Sequence, residues 1–395
     1  MSPVIRITSK PSCFTARLRK KAAVSAALAF TLLAGSAAAL NSAAQSAGSR
    51  FDELATQAEA ARAANDWSRA IALYTQAEEL NPQWADGWWQ LGLLQFQSEA
   101  YPEARRALTR FLDLTTEKTG PAAQAVALRG LCAFEMGDYA RSLGDLARGS
   151  ELLTASDHET ASYLHFREAQ ALTRLGRFDE ALGVYTALAR TADASPELKI
   201  GVGLAGLRAA LLPADATASE QPMYAAAGDA ALRWMKGDMS GGRQGFAEFF
   251  ARYPATANAH YLFGLLLLAE DQAEAAAECR HELEIAPENA DAAAFLAWVL
   301  LLEDHPDQAL PIARKAAAEA PALPRAQLTL GRALAETGDT AAGIEHLEAA
   351  LRLQPEDIET HAALAEAYSN AGRKADARRE RMTSLEIAKA SLAQR

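Results

Sequence analysis

A repeating unit of two short helices, clearest over residues 324–355, constrains the fold of this chain more than any other feature. In its first half Leu330 and Leu334 lie four positions apart, and apolar residues recur at the same spacing in its second half, so each half has one apolar helical face. Gly338 and the aspartate after it predict a turn between the helices, and Pro355 ends the second one. One such hairpin cannot bury its own apolar face, so it is stable only when stacked on similar hairpins.

Copies of this unit recur at steps of about 34 residues. Each combines a small residue in the first helix, such as Gly331, with a polar or glycine-containing turn and an apolar second helix. The small residue is expected where a neighbouring helix must come close. Copies are marked by Leu54, Ala58, Ala70 and Tyr74; Leu91, Gly92, Ala104 and Leu108; Gly130, Gly137 and Leu143; Leu172, Gly176 and Tyr185; Trp234, Gly237 and Phe246; Gly264, Leu267 and Ala275; Leu296, Leu300 and Ala309; and Leu364, Tyr368 and Gly372.

This pattern resembles the tetratricopeptide repeat (TPR) family over nearly all of the chain after its N-terminal segment. The resemblance implies an all-α fold, an α-solenoid in the form of a right-handed superhelix of eight or nine TPR helical hairpins. It also implies that the first helix of each hairpin lines a concave groove. The function expected from it is that of a non-enzymatic scaffold or adaptor that binds a peptide or protein partner in this groove.

The resemblance also assigns ten groove positions, all aromatic or aliphatic. Family members that grip a C-terminal carboxylate present Lys, Arg and Asn there, so this ligand class is not expected. An exposed apolar groove indicates a partner site, but the same side chains could instead pack against one another or the next repeat. The ten positions are Trp89, Leu93, Phe96, Leu131, Phe134, Phe166, Tyr261, Leu265, Trp298 and Leu301.

The repeat pattern divides the chain into five segments. Residues 1–44 are expected to be a signal peptide and 45–50 a linker. A TPR block of about four repeats follows over 51–195. Residues 196–222 read as one helix and a proline-bounded loop without a second helix, which predicts a hinge or a change of superhelical pitch. A second block, 223–395, holds about five repeats and a charged C-terminal capping helix.

The first 44 residues contain six basic residues, no acidic one and an apolar run, the pattern of a secretory signal. Cleavage after Ala44 satisfies the small-residue rule, so we expect a periplasmic or secreted protein. The alternative is that residues 22–40 stay in the inner membrane as an anchor. In that case the chain would be a structural component of a cell-envelope assembly or secretion machine.

The negative charge of the chain argues against one class of partner. The formal net charge is −11, so the part after residue 44 carries −17. Nucleic-acid binding relies on cationic contacts to phosphate, and no nucleic-acid partner is expected.

No motif argues for catalysis, and no catalytic, cofactor-binding or metal-binding residue and no small-molecule substrate is predicted. Gly201, Gly203 and Gly206 match the spacing of a dinucleotide-binding loop, but no strand precedes them, so close helix packing is the preferred interpretation. His158 and His165 lie too far apart to share a metal ion unaided. Cys132 and Cys279 lie in different repeats and are expected to be unpaired core residues.

Overall fold

A computed structural model describes residues 33–115, 120–153, 157–191 and 193–393, with side chains described from Gly48 to Ala390. These residues form nineteen helices joined by turns and loops, and none of them lies in a strand. The all-α fold is therefore confirmed. The chain divides into two compact units at Leu175 and Gly176, inside the predicted first block.

The unit that ends at Leu175 holds seven helices, each packed on the next in sequence. Paired helices contact one another through alanines and leucines at helical spacing, such as Ala58, Ala70 and Leu108, all fully or nearly fully buried. The helices are α1 (Leu33–Ala63), α2 (Trp67–Leu80), α3 (Ala85–Gln97), α4 (Tyr101–Leu114), α5 (Pro121–Glu135), α6 (Tyr139–Leu153) and α7 (His158–Arg174).

The unit that begins at Gly176 holds twelve helices within its described residues. From the tenth helix onward they form hairpins of two antiparallel helices, each hairpin stacked on the next. The helices are α8 (Phe178–Ala189), α9 (Pro196–Gly206), α10 (Gln221–Met235), α11 (Met239–Arg252), α12 (Ala259–Leu267), α13 (Gln272–Ile285), α14 (Ala290–Leu302), α15 (Pro306–Glu319), α16 (Pro324–Glu336), α17 (Thr340–Leu353), α18 (Ile358–Asn370) and α19 (Lys374–Ala393).

The turns between paired helices follow the sequence pattern. Gly137, Gly237 and Gly338 adopt positive φ, a conformation that suits glycine at the end of a helix. The next residue, an aspartate, directly precedes the second helix, and the Asp339 side chain accepts a hydrogen bond from the Ala342 amide at 3.2 Å as the N-cap of α17. In the best-defined hairpin, a Cβ at Gly331 would lie 2.7 Å from Leu347 Cγ, so the small residue is needed for close packing.

The segment between α9 and α10 departs from the repeat. As predicted, residues 207–220 contain no second helix. In place of that helix, α9 and α10 pack directly against each other through glycines. A Cβ at Gly203 would lie 1.9 Å from the Tyr224 carbonyl oxygen, and one at Gly228 1.8 Å from that of Lys199. This contact brings the backbones of the two helices close together, and the hinge or change of superhelical pitch expected at 213–222 stays a prediction.

Close packing of α9 on three neighbouring helices explains the glycine spacing seen in the sequence. Gly201, Gly203 and Gly206 all lie within α9 and are buried. Each approaches a different neighbour, and a Cβ on Gly206 would lie 2.5 Å from the Leu262 side chain. The motif is used for helix packing and not for a phosphate, in agreement with the absence of a preceding strand.

The N-terminal expectations fall mostly outside the described residues. Residues 1–32, which include most of the predicted signal, are not described. Residues 45–50, for which the sequence predicted a linker, are instead helical and belong to α1 (Leu33–Ala63). No described helix is long and apolar enough to cross a bilayer.

Candidate functional site

The ten predicted groove residues do not form an open apolar surface. Trp89, Leu131, Phe134, Tyr261 and Leu301 are buried. The other five are half-buried, and none is classed as exposed. The half-buried residues are Leu93, Phe96, Phe166, Leu265 and Trp298.

In the unit ending at Leu175, these aromatic rings pack on neighbouring rings. The Trp89 ring centroid lies 5.4 Å from that of Phe111. Phe134 packs edge-on against Tyr139 at 5.3 Å, and the Arg167 guanidinium lies over its other side, 4.7 Å from the centroid. Of the two interpretations, the contacts around these rings match internal packing.

In the unit beginning at Gly176, the predicted groove residues lie beside charged groups. The Tyr261 hydroxyl accepts a hydrogen bond from Arg208 at 2.9 Å, and the Tyr261 ring packs edge-on against Phe295. The Trp298 indole N–H donates to Glu359. Trp298 therefore has a polar partner inside the protein, on α18.

A cavity of about 850 Å³ lies in the unit that begins at Gly176. Its walls come from the first turn of α8, from Arg208 after α9, and from α14, α16 and the start of α18. The cavity is therefore lined by first helices of the three C-terminal hairpins together with the start of α8 and Arg208. Its charged lining residues are Arg177, Asp179, Glu180, Arg208, Asp291, Arg325, Glu356, Asp357 and Glu359.

Arg208 is the centre of the charge network on this wall. Its Nη2 atom lies 2.8 Å from Asp179 Oδ1 and 3.2 Å from Asp291 Oδ1. The side chain is only 12% exposed. Arg325 approaches the other oxygen of Asp179 at 3.8 Å, so Asp179 lies between two guanidiniums. These pairs fix the first turn of α8 against α14 and α16 within the same unit.

The backbone conformation of Arg208 is unusual for an arginine. It has a φ of 55°, in the left-handed region that most hairpin turns of this chain fill with glycine. Its position ends α9, where the Ala209 amide donates to the Leu204 carbonyl. An arginine there accepts conformational strain, and the three acceptors around its guanidinium offset that cost.

Burial dominates the protonation behaviour of the groups around Arg208. It raises the pKa of Tyr261 to about 12, against an opposing effect of Arg208. It also raises the pKa of Asp291, with Arg208 again opposing and Asp179 adding to the increase.

The other chemical candidates remain structural. No cluster of His, Cys, Asp and Glu in the described residues could hold a metal ion, and His165 pairs with Glu168 at 3.2 Å. Cys132 and Cys279 are buried and free. Burial raises the pKa of Cys132 to about 12, so its thiol is protonated and unreactive at neutral pH.

Sequence reasoning missed Arg208, Asp179 and Asp291. The three residues are far apart in the chain and share no motif. A local signal was present at Arg208 alone, because it follows a helix where other repeats have a glycine turn.

One buried acid in the first unit gives a testable pH dependence. Glu78 on α2 is 2% exposed, and neither carboxylate oxygen has a hydrogen-bond partner among the described residues. Burial raises its pKa from 4.5 to about 8, with Arg110 acting in the opposite direction. Glu78 is therefore mostly protonated in the folded protein at neutral pH.

Since the folded-state pKa of Glu78 is the higher one, its contribution to stability is present below pH 4.5 and is lost as the pH rises to about 8. Between pH 5 and pH 9, the native protein should lose at least about 1 kcal/mol more unfolding free energy than Glu78→Gln. Urea unfolding at both pH values measures this. Glu79→Gln, at an exposed neighbour, should behave like the native chain, and an equal loss in all three proteins would contradict the prediction.

Comparisons with known proteins agree with the repeat pattern. Residues 324–367 match a family model described as tetratricopeptide repeat, and residues 55–115 and 90–158 match a second model with the same description. No curated protein matches the chain significantly.

Several solved structures share the fold in part. The MamA RS-1 ArsTM double mutant is 22% identical, with a TM-score of 0.38 over 43% of this chain and 96% of that one. A crystal structure of MamA is 18% identical, with a TM-score of 0.36 over 41% of this chain and 95% of that one. YrrB, described as a TPR protein with an unusual peptide-binding site, is 18% identical, with a TM-score of 0.35 over 43% and 88% of the two chains.

Proposed function

We propose that this chain, a tetratricopeptide-repeat protein, is a non-enzymatic scaffold that binds a protein or peptide segment in the groove formed by its first helices. Tetratricopeptide repeats serve as protein-interaction scaffolds, and the repeat itself supports this general role. The specific binding surface is our proposal. It is the cavity lined by Asp179, Arg208, Asp291, Arg325 and Glu359.

One observation carries this choice of surface. The cavity of about 850 Å³ is lined by several repeats of one unit and combines charged groups with apolar ones. One of its apolar lining residues, Leu353, is 43% exposed. An extended segment laid across such a surface would bury apolar area and satisfy its own charges.

The aromatic groove residues expected from the sequence contribute little to the proposed binding surface. Trp89, Phe134 and Tyr261 each retain 7% or less of their exposed area, so a partner could reach little of them. Trp298 is half-buried and touches the proposed surface through Glu359. Phe96 and Phe166, half-buried in the other unit, remain predicted partner positions of lower accessibility.

Site-specific crosslinking tests the surface. A photoreactive phenylalanine analogue placed at Leu353, on the cavity wall, should yield a discrete protein adduct in the native host. The same analogue at Met239, on α11 and 38% exposed but away from the cavity, serves as the matched control.

The two positions are similarly exposed, and only Leu353 lines the cavity, so the comparison decides the proposal. A discrete adduct at Leu353 that is absent at Met239 would support it. Equal labelling at both positions, or none at either, would show that the cavity is not the binding surface.

We also propose that the chain is exported. The support is the sequence of residues 1–44, with six basic residues followed by an apolar run. Fractionation of a C-terminally tagged chain, with the mass of its mature N-terminus, tests this. Release with the periplasm and cleavage near Ala44 are expected, whereas an uncleaved cytosolic product would contradict export.

A further inference from the structure

We infer that the partner segment bound in this cavity is basic and presents lysine or arginine side chains to it. The inference rests on the proposed function, because it names the partner class for the same surface. It is argued from the distribution of charge, the internal pairing of the lining cations, and the mixed lining of the cavity.

Negative charge is concentrated in the repeats that build the cavity. Residues 253–372 contain twenty Asp and Glu but only six Lys and Arg. The net charge of this segment, 6 − 20 = −14, is more negative than the −11 of the whole chain. A groove within such a region concentrates a negative potential, which attracts cationic ligands and accelerates their association.

The cavity lining carries the same imbalance, with six carboxylates and three guanidiniums. Each guanidinium has a carboxylate near it inside the protein, although Arg208 Nε and Arg325 Nη1 have no hydrogen-bond partner among the described residues. Arg177 binds Glu180 through two hydrogen bonds of 2.7 and 2.5 Å. Arg208 is held by two aspartates, and Arg325 faces one of them. An acidic partner would therefore compete with carboxylates that are already in place.

The surplus carboxylates lie at the start of α18. Glu356 is exposed, and the described residues offer it no ion pair. Asp357 accepts hydrogen bonds from the Thr360 amide and hydroxyl as the helix N-cap. Glu359 shares one Arg332 guanidinium, at 3.3 Å, with Glu336. Of the three acidic side chains at the start of α18, only Glu359 has an ion pair among the described residues, with Arg332.

The pKa of Glu336, which shares Arg332 with Glu359, also shows an effect of nearby negative charge. Burial is the main cause that raises its pKa, and the acidic groups Glu366 and Asp304 add to the increase against the effect of Arg332.

The apolar part of the lining suits long basic side chains. Phe178, Leu323, Leu328, Leu353 and Pro355 lie among the charged residues of the cavity. Lysine and arginine bury their aliphatic stems on such surfaces while their charged ends reach carboxylates. The combination favours these side chains over short polar ones.

Fluorescence anisotropy with the full chain and three labelled decapeptides tests the inference. The peptides are five repeats of Lys-Ala, Ser-Ala or Glu-Ala. We expect binding of the Lys-Ala peptide only, weakened by added salt. Glu356→Lys reverses one charge on the cavity wall and should weaken this binding about tenfold, the size expected for two unit charges within several ångströms at a protein surface.

Glu345→Lys is the matched control, because it changes the net charge equally at an exposed position of α17 outside the cavity. It should alter binding less than about twofold, and circular dichroism should show both variants folded. Equal weakening by both variants, or tighter binding of the Glu-Ala peptide, would overturn the inference. If the Ser-Ala peptide binds as well as Lys-Ala, the basic class is wrong but the groove stands. If no peptide binds and Leu353 gives no crosslink, both proposals fall.

Discussion

Gly228→Ala is expected to lower the unfolding free energy of the unit beginning at Gly176 by at least about 3 kcal/mol. The added Cβ would lie 1.8 Å from the Lys199 carbonyl oxygen and 2.8 Å from the Gly203 amide nitrogen. Overpacking a core typically costs about 1–3 kcal/mol, and here the obstacle is backbone, which cannot rotate away. Helices α9 and α10 would have to separate along their contact.

Gly183→Ala provides the control for helix propensity. Gly183 lies in α8 of the same unit, and a Cβ there meets no atom within 4 Å. Replacing a solvent-facing helical glycine by alanine should stabilise the protein by about 0.5–1 kcal/mol. Urea unfolding followed by circular dichroism measures both variants. If Gly228→Ala unfolds within about 0.5 kcal/mol of the native chain, the close approach of α9 and α10 is wrong.

Trp89→Ala should destabilise the unit ending at Leu175 by about 3–5 kcal/mol, the usual cost of truncating a large buried aromatic side chain. Trp89 is 7% exposed and packs on Phe111. Trp67 starts α2 in the same unit and is 40% exposed. Trp67→Ala should cost less than about 1 kcal/mol.

The pair also separates the two roles considered for Trp89. Tryptophan fluorescence and circular dichroism during urea unfolding report stability, and crosslinking in the native host reports partner binding. A loss of stability in Trp89→Ala alone identifies a core residue. If Trp89→Ala keeps the stability of the native protein but loses the partner, Trp89 is a binding residue of the groove.

The local architecture was predictable because its signals are local. Apolar residues four apart place the helices, and glycine with aspartate sets the turns seen at Gly338 and Asp339. The prolines also act at short range, since α17 ends at Leu353, two residues before Pro355. Each signal acts within one hairpin, so a single sequence displays it in full.

The binding surface was less predictable because it depends on packing between repeats. Neighbouring positions on a helix differ by about 100°, so assigning Trp89 to the groove requires knowing what fills the space beside it. Phe111, on the next helix, fills it. The pairing of Asp179 with Arg325 joins residues 146 positions apart, and no local pattern reveals such a contact.

The direct contact of α9 and α10 also limits how this protein can vary in length. A stack of hairpins that touch only their neighbours can gain or lose whole units, because each new junction resembles the old one. Between α9 and α10 the junction is specific, since Gly203 and Gly228 fit each other's backbone surroundings and no standard hairpin would reproduce that fit. Variants that add or remove one hairpin should therefore be tolerated between α13 and α14, but not between α9 and α10.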